Sequence, residues 1–178
     1  MTTNSADLAR KLRCLTNIGR KEGENFFFHY ELGTNARISG FQAAVLVAQL
    51  ERLPSQIALR SKNAALIIAA TQGVKGLTWQ HIPADVTANS WYLMLGRIDA
   101  AAFGRTRDQL HKDLTAVGIP CTPFYPHTLY RNPLYIRGGC RVEPCPNAEA
   151  CVQDAFWLPH RVLMADEQTT REVSAMFV

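Results

Sequence analysis

The sequence lacks what would place it in a membrane, on a nucleic acid or in a disulfide framework. No apolar run reaches the roughly 18 residues that a membrane-spanning helix needs, and the opening residues carry no signal-peptide pattern. Charge of one sign is scarce: 19 basic residues against 15 acidic ones leave a net charge of +4. Arg10, Lys11 and Arg13 cluster, as do Arg20 and Lys21, but no stripe interleaves basic with aromatic residues. A solvated face is therefore expected, and no nucleic acid. The five cysteines are odd in number and irregularly spaced, which argues against paired disulfides and for free thiols in a reducing cytoplasm. Cys140, Cys145 and Cys151 are separated by four and five residues. Zinc knuckles prefer tighter gaps, so no metal site is expected. No local pattern pairs a cysteine with a histidine as a nucleophile.

Lysine is scarce too. Lys11, Lys21, Lys62, Lys75 and Lys112 each stand among polar or charged neighbours, the setting of a surface lysine rather than of a desolvated reactive amine. No glycine-rich phosphate cradle appears. What is present is apolar mass: 47% of the 178 residues are hydrophobic. That suffices for one cored domain, or one and a half, and excludes disorder as the general state.

The chain is organised around Leu32 to Leu53. Ser39 can cap a helix, with Gln42 at the capping-box position three residues on. Phe41, Ala44, Val45 and Ala48 recur at helical spacing, and Pro54 marks the stop. Gly33 permits a backbone turn that a side chain would forbid. Asn35 and Arg37 then fall just before a helix start, where free amides and the dipole favour anions. Upstream, Asn4 or Ser5 can cap a helix whose apolar face is Ala6, Leu8, Ala9, Leu12 and Leu15, left at Gly19. Phe26 to Phe28 suit a buried extended segment. His29 and Tyr30 either pack there or line a pocket edge.

Beyond Pro54 a second helix is expected to about Thr71, with Ile57, Ala64, Ala65, Ile67 and Ile68 inward. With the first it makes either one bent long helix or a tight helical pair. Strands are expected over Leu77–Pro83 and Ser90–Ile98. A helix capped by Thr106 and Gln109 should follow, with Leu110, Leu114 and Val117 on its apolar face, and then a short strand over Ile119–Thr122. A small sheet with helices on one face results. Phe124 to Tyr135 is an irregular run with three tyrosines, a histidine and an arginine. Polar tips on flat faces suit either recognition or plain aromatic packing. Pro146–Trp157 reads as a helix, His160 as a structural histidine, and Asp166 as the cap of a last helix.

Several of these residues carry a resemblance. Gly33, Asn35, Arg37, Gln42, Ala43, Ala44, Gln49, Leu50, Arg52 and Leu53 stand in register with a segment of the DegT/StrS-type sugar aminotransferases. Thr34, Ala36 and Gly40 depart from its commonest form, which bears on pocket shape. Thr3-Asn4, the run Leu15 to Arg20, the run Leu129 to Pro133 after Tyr125-Pro126, and Trp157 to His160 are similar to further family segments. The aromatic run is close to the subgroup that aminates inosose-like ketones.

The resemblance spans about Thr3 to Phe177. It implies the C-terminal portion of a pyridoxal-phosphate (PLP) enzyme that aminates a keto-sugar or cyclitol ketone from glutamate or glutamine. The implied fold is α/β (α+β), the small C-terminal domain of the aspartate-aminotransferase fold. Helices would pack on a small mainly antiparallel sheet, preceded by a helix from the large domain. Residues 1–53 would be a residual large-domain segment and 54–178 the small domain. In full-length members the lysine that forms the Schiff base lies in the region before this one. The resemblance therefore implies no catalytic lysine here and no transamination by this chain alone. Asn35 would reach a neighbour's PLP phosphate and Arg37 its substrate, with His29, Tyr125 and Tyr130 also substrate-binding. A homodimer or a separately encoded large domain is the implied partner. The alternative is a non-catalytic, truncated or partner-dependent binding module.

Overall fold

In the computed structural model, residues 2–24, 29–131, 139 and 141–178 are described. The expectation for Phe26 to Phe28 lies outside them. The chain divides into two compact units, Met1–Arg52 and Leu53–Val178.

In the first unit, Ser5 caps α1 (Ala6–Thr16) by accepting the Leu8 amide. Cys14 is its one buried residue. The helix ends in a left-handed step at Ile18 and Gly19. The returning strand of chain is then laced to the helix end: Thr34 N–H donates to Leu15 O at 2.8 Å, Ile18 N–H to Thr34 O at 3.1 Å, and Ala36 N–H to Thr16 O at 3.0 Å. Gly33 is needed here for space rather than for a turn. A Cβ on it would collide with the Gly19 amide nitrogen and come within 2.5 Å of the Leu15 carbonyl oxygen. Ser39 and Gln42 make the expected reciprocal cap, at 3.3 Å and 3.1 Å.

That cap opens α2 (Gly40–Ala70), a single helix of 31 residues with Pro54 inside it. Of the two arrangements left open there, one long helix is the one observed, and the stop expected at Pro54 does not occur. Proline removes one backbone bond, but good helix formers flank it, and the second half is tied into a core through Ala64 and Ile67. The unit boundary falls beside this proline. The inward face also differs from expectation: Ala65 and Ile68 are exposed, while Arg60 and Asn63 are buried.

The second unit holds a four-stranded, wholly antiparallel sheet in the order β1-β2-β4-β3. Its strands are β1 (Leu77–Trp79), β2 (Leu93–Ile98), β3 (Thr122–Pro123) and β4 (Ala155–Pro159). Between β2 and β3 lie α3 (Ala100–Phe103) and α4 (Arg107–Ala116). The latter carries the expected Thr106–Gln109 capping box. After β3 come α5 (Pro146–Asp154), β4 and α6 (Glu167–Ala175), the last capped by Asp166. The helix expected to reach Trp157 stops at Asp154, because Ala155–Pro159 pairs on both sides as a central strand. Met94, Ile98, Leu110, Leu114, Phe156, Leu158 and Phe177 form the core. Trp79, Phe156 and Phe177 meet edge-on or stacked, with centroids 5.3–6.0 Å apart. Val117, expected on the apolar face of α4, is exposed.

Candidate functional site

Within the first unit, the connection between α1 and α2 presents the polar groups singled out by sequence. Asn35 pairs with Asn17 as an isolated bridge, which fixes its backbone. Its side-chain oxygen accepts a hydrogen bond from Arg37 Nε at 2.8 Å. Both residues are exposed. The two Nη nitrogens of Arg37 make no hydrogen bond among the described residues, and a guanidinium so placed suits an oxyanion. His29 is also exposed, and its Nδ1 donates to the Ile18 carbonyl at 2.7 Å. That bond places a proton on Nδ1 and fixes the ring's orientation. The Tyr30 hydroxyl donates to Glu24 at 3.4 Å, and its ring carries the Lys21 ammonium 4.7 Å above it.

In the second unit, the aromatic loop begins where the Phe124 amide donates to the Ala155 carbonyl at 2.9 Å. Phe124, Tyr125 and Trp157 form a ring cluster with centroids 5.2–5.8 Å apart. Tyr125 is 64% exposed, and its hydroxyl makes no hydrogen bond among the described residues. A short 3-10 turn, Leu129–Arg131, then carries Tyr130 and Arg131 to α5. The Tyr130 hydroxyl donates to Glu149 Oε1 at 2.7 Å, and Arg131 Nη2 donates to the same oxygen at 3.3 Å. These donors hold the Glu149 carboxyl below its ordinary range, the Tyr130 hydrogen bond most of all.

Two cavities flank this loop. One, about 400 Å³, is polar, and His127, Arg131, Glu149 and Gln153 are on its wall. The other, about 680 Å³, is mostly apolar and includes Phe124, Tyr125, Leu129 and Tyr130. Thr128 lines both, and its hydroxyl is buried without a hydrogen-bond partner among the described residues. Sequence reasoning singled out Tyr125 and Tyr130, which both line the apolar cavity. It missed Glu149, whose only sequence signal is an acidic residue in the first turn of a helix. The rest of the aromatic run, from Asn132 to Tyr135, lies outside the described residues.

Reactive amines are a different matter. All five lysines are exposed. Lys62 donates to Glu167 at 2.9 Å, so its charge is already engaged. A lysine that condenses with a carbonyl must shed its proton in a partly desolvated site, and none of the five is so housed. Among the cysteines, Cys14, Cys121, Cys145 and Cys151 are free. Burial pushes the Cys121 thiol up to about 12, which keeps it protonated and unreactive. Cys140 is not among the described residues. No group of three or more metal-ligating side chains occurs among those that are. No helix there is long and apolar enough to cross a membrane.

Comparison with known proteins adds a consistent picture. The model of the DegT/DnrJ/EryC1/StrS aminotransferase family matches residues 1–177. The 3-amino-5-hydroxybenzoate synthase of Amycolatopsis mediterranei is 33% identical over 156 residues, which cover 84% of this chain and 40% of that protein. An L-glutamine:2-deoxy-scyllo-inosose aminotransferase of Streptomyces kanamyceticus is also 33% identical, over 82% of this chain and 38% of its own length. The crystal structure of 3-amino-5-hydroxybenzoic acid synthase superposes with a TM-score of 0.83 at 28% identity, covering 99% of this chain and 47% of that one. The curated relatives include sugar and cyclitol aminotransferases. The chain spans less than half the length of each relative compared.

Proposed function

This chain belongs to the DegT/DnrJ/EryC1/StrS aminotransferase family, and from that premise we propose that it is the C-terminal portion of an aminotransferase acting on a keto-sugar or cyclitol ketone. The amino donor would be glutamate or glutamine. The observation that carries this reading is the family match over residues 1–177. Residues 1–53 would be the part that meets the large domain, and 54–178 the small domain.

The family's cofactor is PLP, which supplies the electron sink for amino-group transfer when bound. The described residues do not make a complete site for it. Every lysine is exposed, and the polar pair Asn35–Arg37 is exposed rather than enclosed. Asn35 and Arg37 instead suit a contributing role. A carboxamide and a guanidinium, fixed to each other just before α2, can complete an anionic site on a neighbouring chain. In that role Asn35 would meet the neighbour's cofactor phosphate and Arg37 its substrate. His29, Tyr125 and Tyr130 would contact substrate. The partner would be a second copy or a separately encoded large domain.

The test is to incubate the purified chain with PLP, glutamine and 2-deoxy-scyllo-inosose, then reduce with borohydride. The expected outcome is no amino product and no pyridoxyl-lysine in the chain. Product should appear when a polypeptide carrying the remaining half of the family's length is co-expressed, and fall sharply in Arg37→Ala. A stoichiometric pyridoxyl-lysine on any of the five lysines of the lone chain would overturn the proposal. The exposure of those lysines also favours a second reading, a binding module without catalytic work. Failure of the co-expressed pair to make product, with the ketone still bound, would select it.

A further inference from the structure

We propose that Glu149 is a positioning residue, the anchor that holds the far end of the aromatic loop and so fixes the wall between its two cavities. The inference rests on the reading of Tyr125 and Tyr130 as ligand-facing groups, and it adds the residue through which they act.

The loop is tied down at two places among the described residues. At its start the Phe124 amide bonds to β4. At its end Tyr130 and Arg131 converge on one oxygen of Glu149, at 2.7 Å and 3.3 Å. Between them the backbone makes one short turn, Arg131 N–H to Thr128 O at 2.9 Å. A segment with so few bonds of its own is ordered by its ends. Glu149 is suited to the task by its place. It stands in the first turn of α5, whose N-cap Cys145 makes no side-chain cap. The carboxylate is stabilised by its two donors, at a helix end whose dipole favours negative charge.

The consequence reaches the cavities. Pro126, His127, Thr128 and Val152 line both of them. The loop is thus a partition, polar on one side and aromatic on the other. Tyr130, its hydroxyl engaged by Glu149, lines the apolar cavity, and the exposed Tyr125, whose hydroxyl makes no hydrogen bond among the described residues, is left for a ligand. Releasing Glu149 would free Tyr130 to compete for the same contacts and let the partition move.

The experiment uses Glu149→Ala, Glu149→Gln, Tyr130→Phe and the double variant Glu149→Ala/Tyr130→Phe in the full chain. Amide hydrogen exchange reports loop order, and titration with 2-deoxy-scyllo-inosose by saturation-transfer NMR reports binding. In Glu149→Ala, exchange over residues 124–131 should rise about tenfold while α4 is unchanged, the scale of one lost charge-assisted hydrogen bond. Glutamine keeps the accepting oxygen and should restore exchange to within about twofold of wild type. The double variant should be no worse than Glu149→Ala, since both remove one shared interaction. Ketone binding should weaken in the same order. Unchanged exchange in Glu149→Ala, or additive effects in the double variant, would overturn the anchor whatever the substrate is. Should Glu149→Ala not fold, Tyr130→Phe against Glu149→Gln decides the point by the same exchange readout. Loosened exchange in a chain whose wild type binds no ketone would leave the anchor standing, and overturn both its positioning role and the substrate reading beneath it.

Discussion

The two units use apolar residues in opposite ways. In Leu53–Val178 they are packed: Phe156, Phe177, Met94, Leu110, Leu114 and Leu158 are all fully buried. In Met1–Arg52, Cys14 is the one buried hydrophobic residue among those described. The N-terminal half of α2 shows Phe41 at 81%, Val47 at 59% and Leu50 at 61% exposure. A helix that is apolar on several sides belongs inside something. The second unit is a domain that closes its own core. The first leaves apolar side chains of α2 in water.

The largest expected effect follows from that difference. An open patch of this kind drives association, so the chain should run as a dimer or larger species in light scattering. Phe41→Asp combined with Leu50→Lys should move it to monomer. A monodisperse wild-type monomer at high concentration would break the comparison.

A stability pair sharpens it. Phe156→Ala removes a fully buried ring held against Trp79 and Phe177, and should cost about 3–5 kcal/mol in denaturant unfolding. Phe41→Ala, at a site already in water, should change stability by no more than about 0.5 kcal/mol in the monomeric background. Similar losses at the two phenylalanines would mean that the first unit hides a core of its own.

Much of this was legible in the sequence where one local rule decided the outcome. The Ser39–Gln42 and Thr106–Gln109 caps, the Asp166 cap and the Asn35–Arg37 approach to α2 all depend on residues three or fewer apart. Elements decided by distant partners were not. Pro54 signals a helix end only if nothing holds the far side, and the core around Ala64 and Ile67 holds it. Ala155–Trp157 reads as the tail of a helix until two neighbouring strands claim the backbone of Ala155–Pro159. Arg60 and Asn63 look like surface residues. Arg60 donates to the Ser90 carbonyl at 2.8 Å, and Asn63 to the carbonyls of Leu163 and Ala165 at 3.0 and 2.8 Å. At the candidate site Tyr130 was visible and Glu149 was not, because nothing short-range links positions 130 and 149.

Gly33 offers a more local test of the first unit. Alanine there would press on the Gly19 and Leu15 backbone, which cannot yield as a flexible side chain would. The cost should be about 1–3 kcal/mol, confined to that unit. The amides of Ile18, Thr34 and Ala36 should exchange faster while those of β2 and β4 keep their protection. Equal loosening of the sheet would show that the two units unfold as one.

The smallest effect concerns charge in the second unit. Glu167 accepts from Lys62 at 2.9 Å and from Arg171 at 2.7 Å. The Lys62 hydrogen bond first, then that of Arg171, lowers its carboxyl from an ordinary 4.5 to about 2. A carboxyl depressed by folding stabilises the native state in full above its unfolded value, and that contribution is lost as protons bind. Stability should therefore fall as the pH drops from 4.5 towards 2. Glu167→Gln should flatten the slope in that window: it should be the less stable protein near neutral pH and converge on wild type as the pH nears 2. The side chain is 46% exposed, so the pair is screened, and raised salt should shrink the difference between variant and wild type. An equally steep acid limb in Glu167→Gln would assign the loss to other carboxylates, with Asp166, lowered by the Thr169 amide that it caps, as the next to replace.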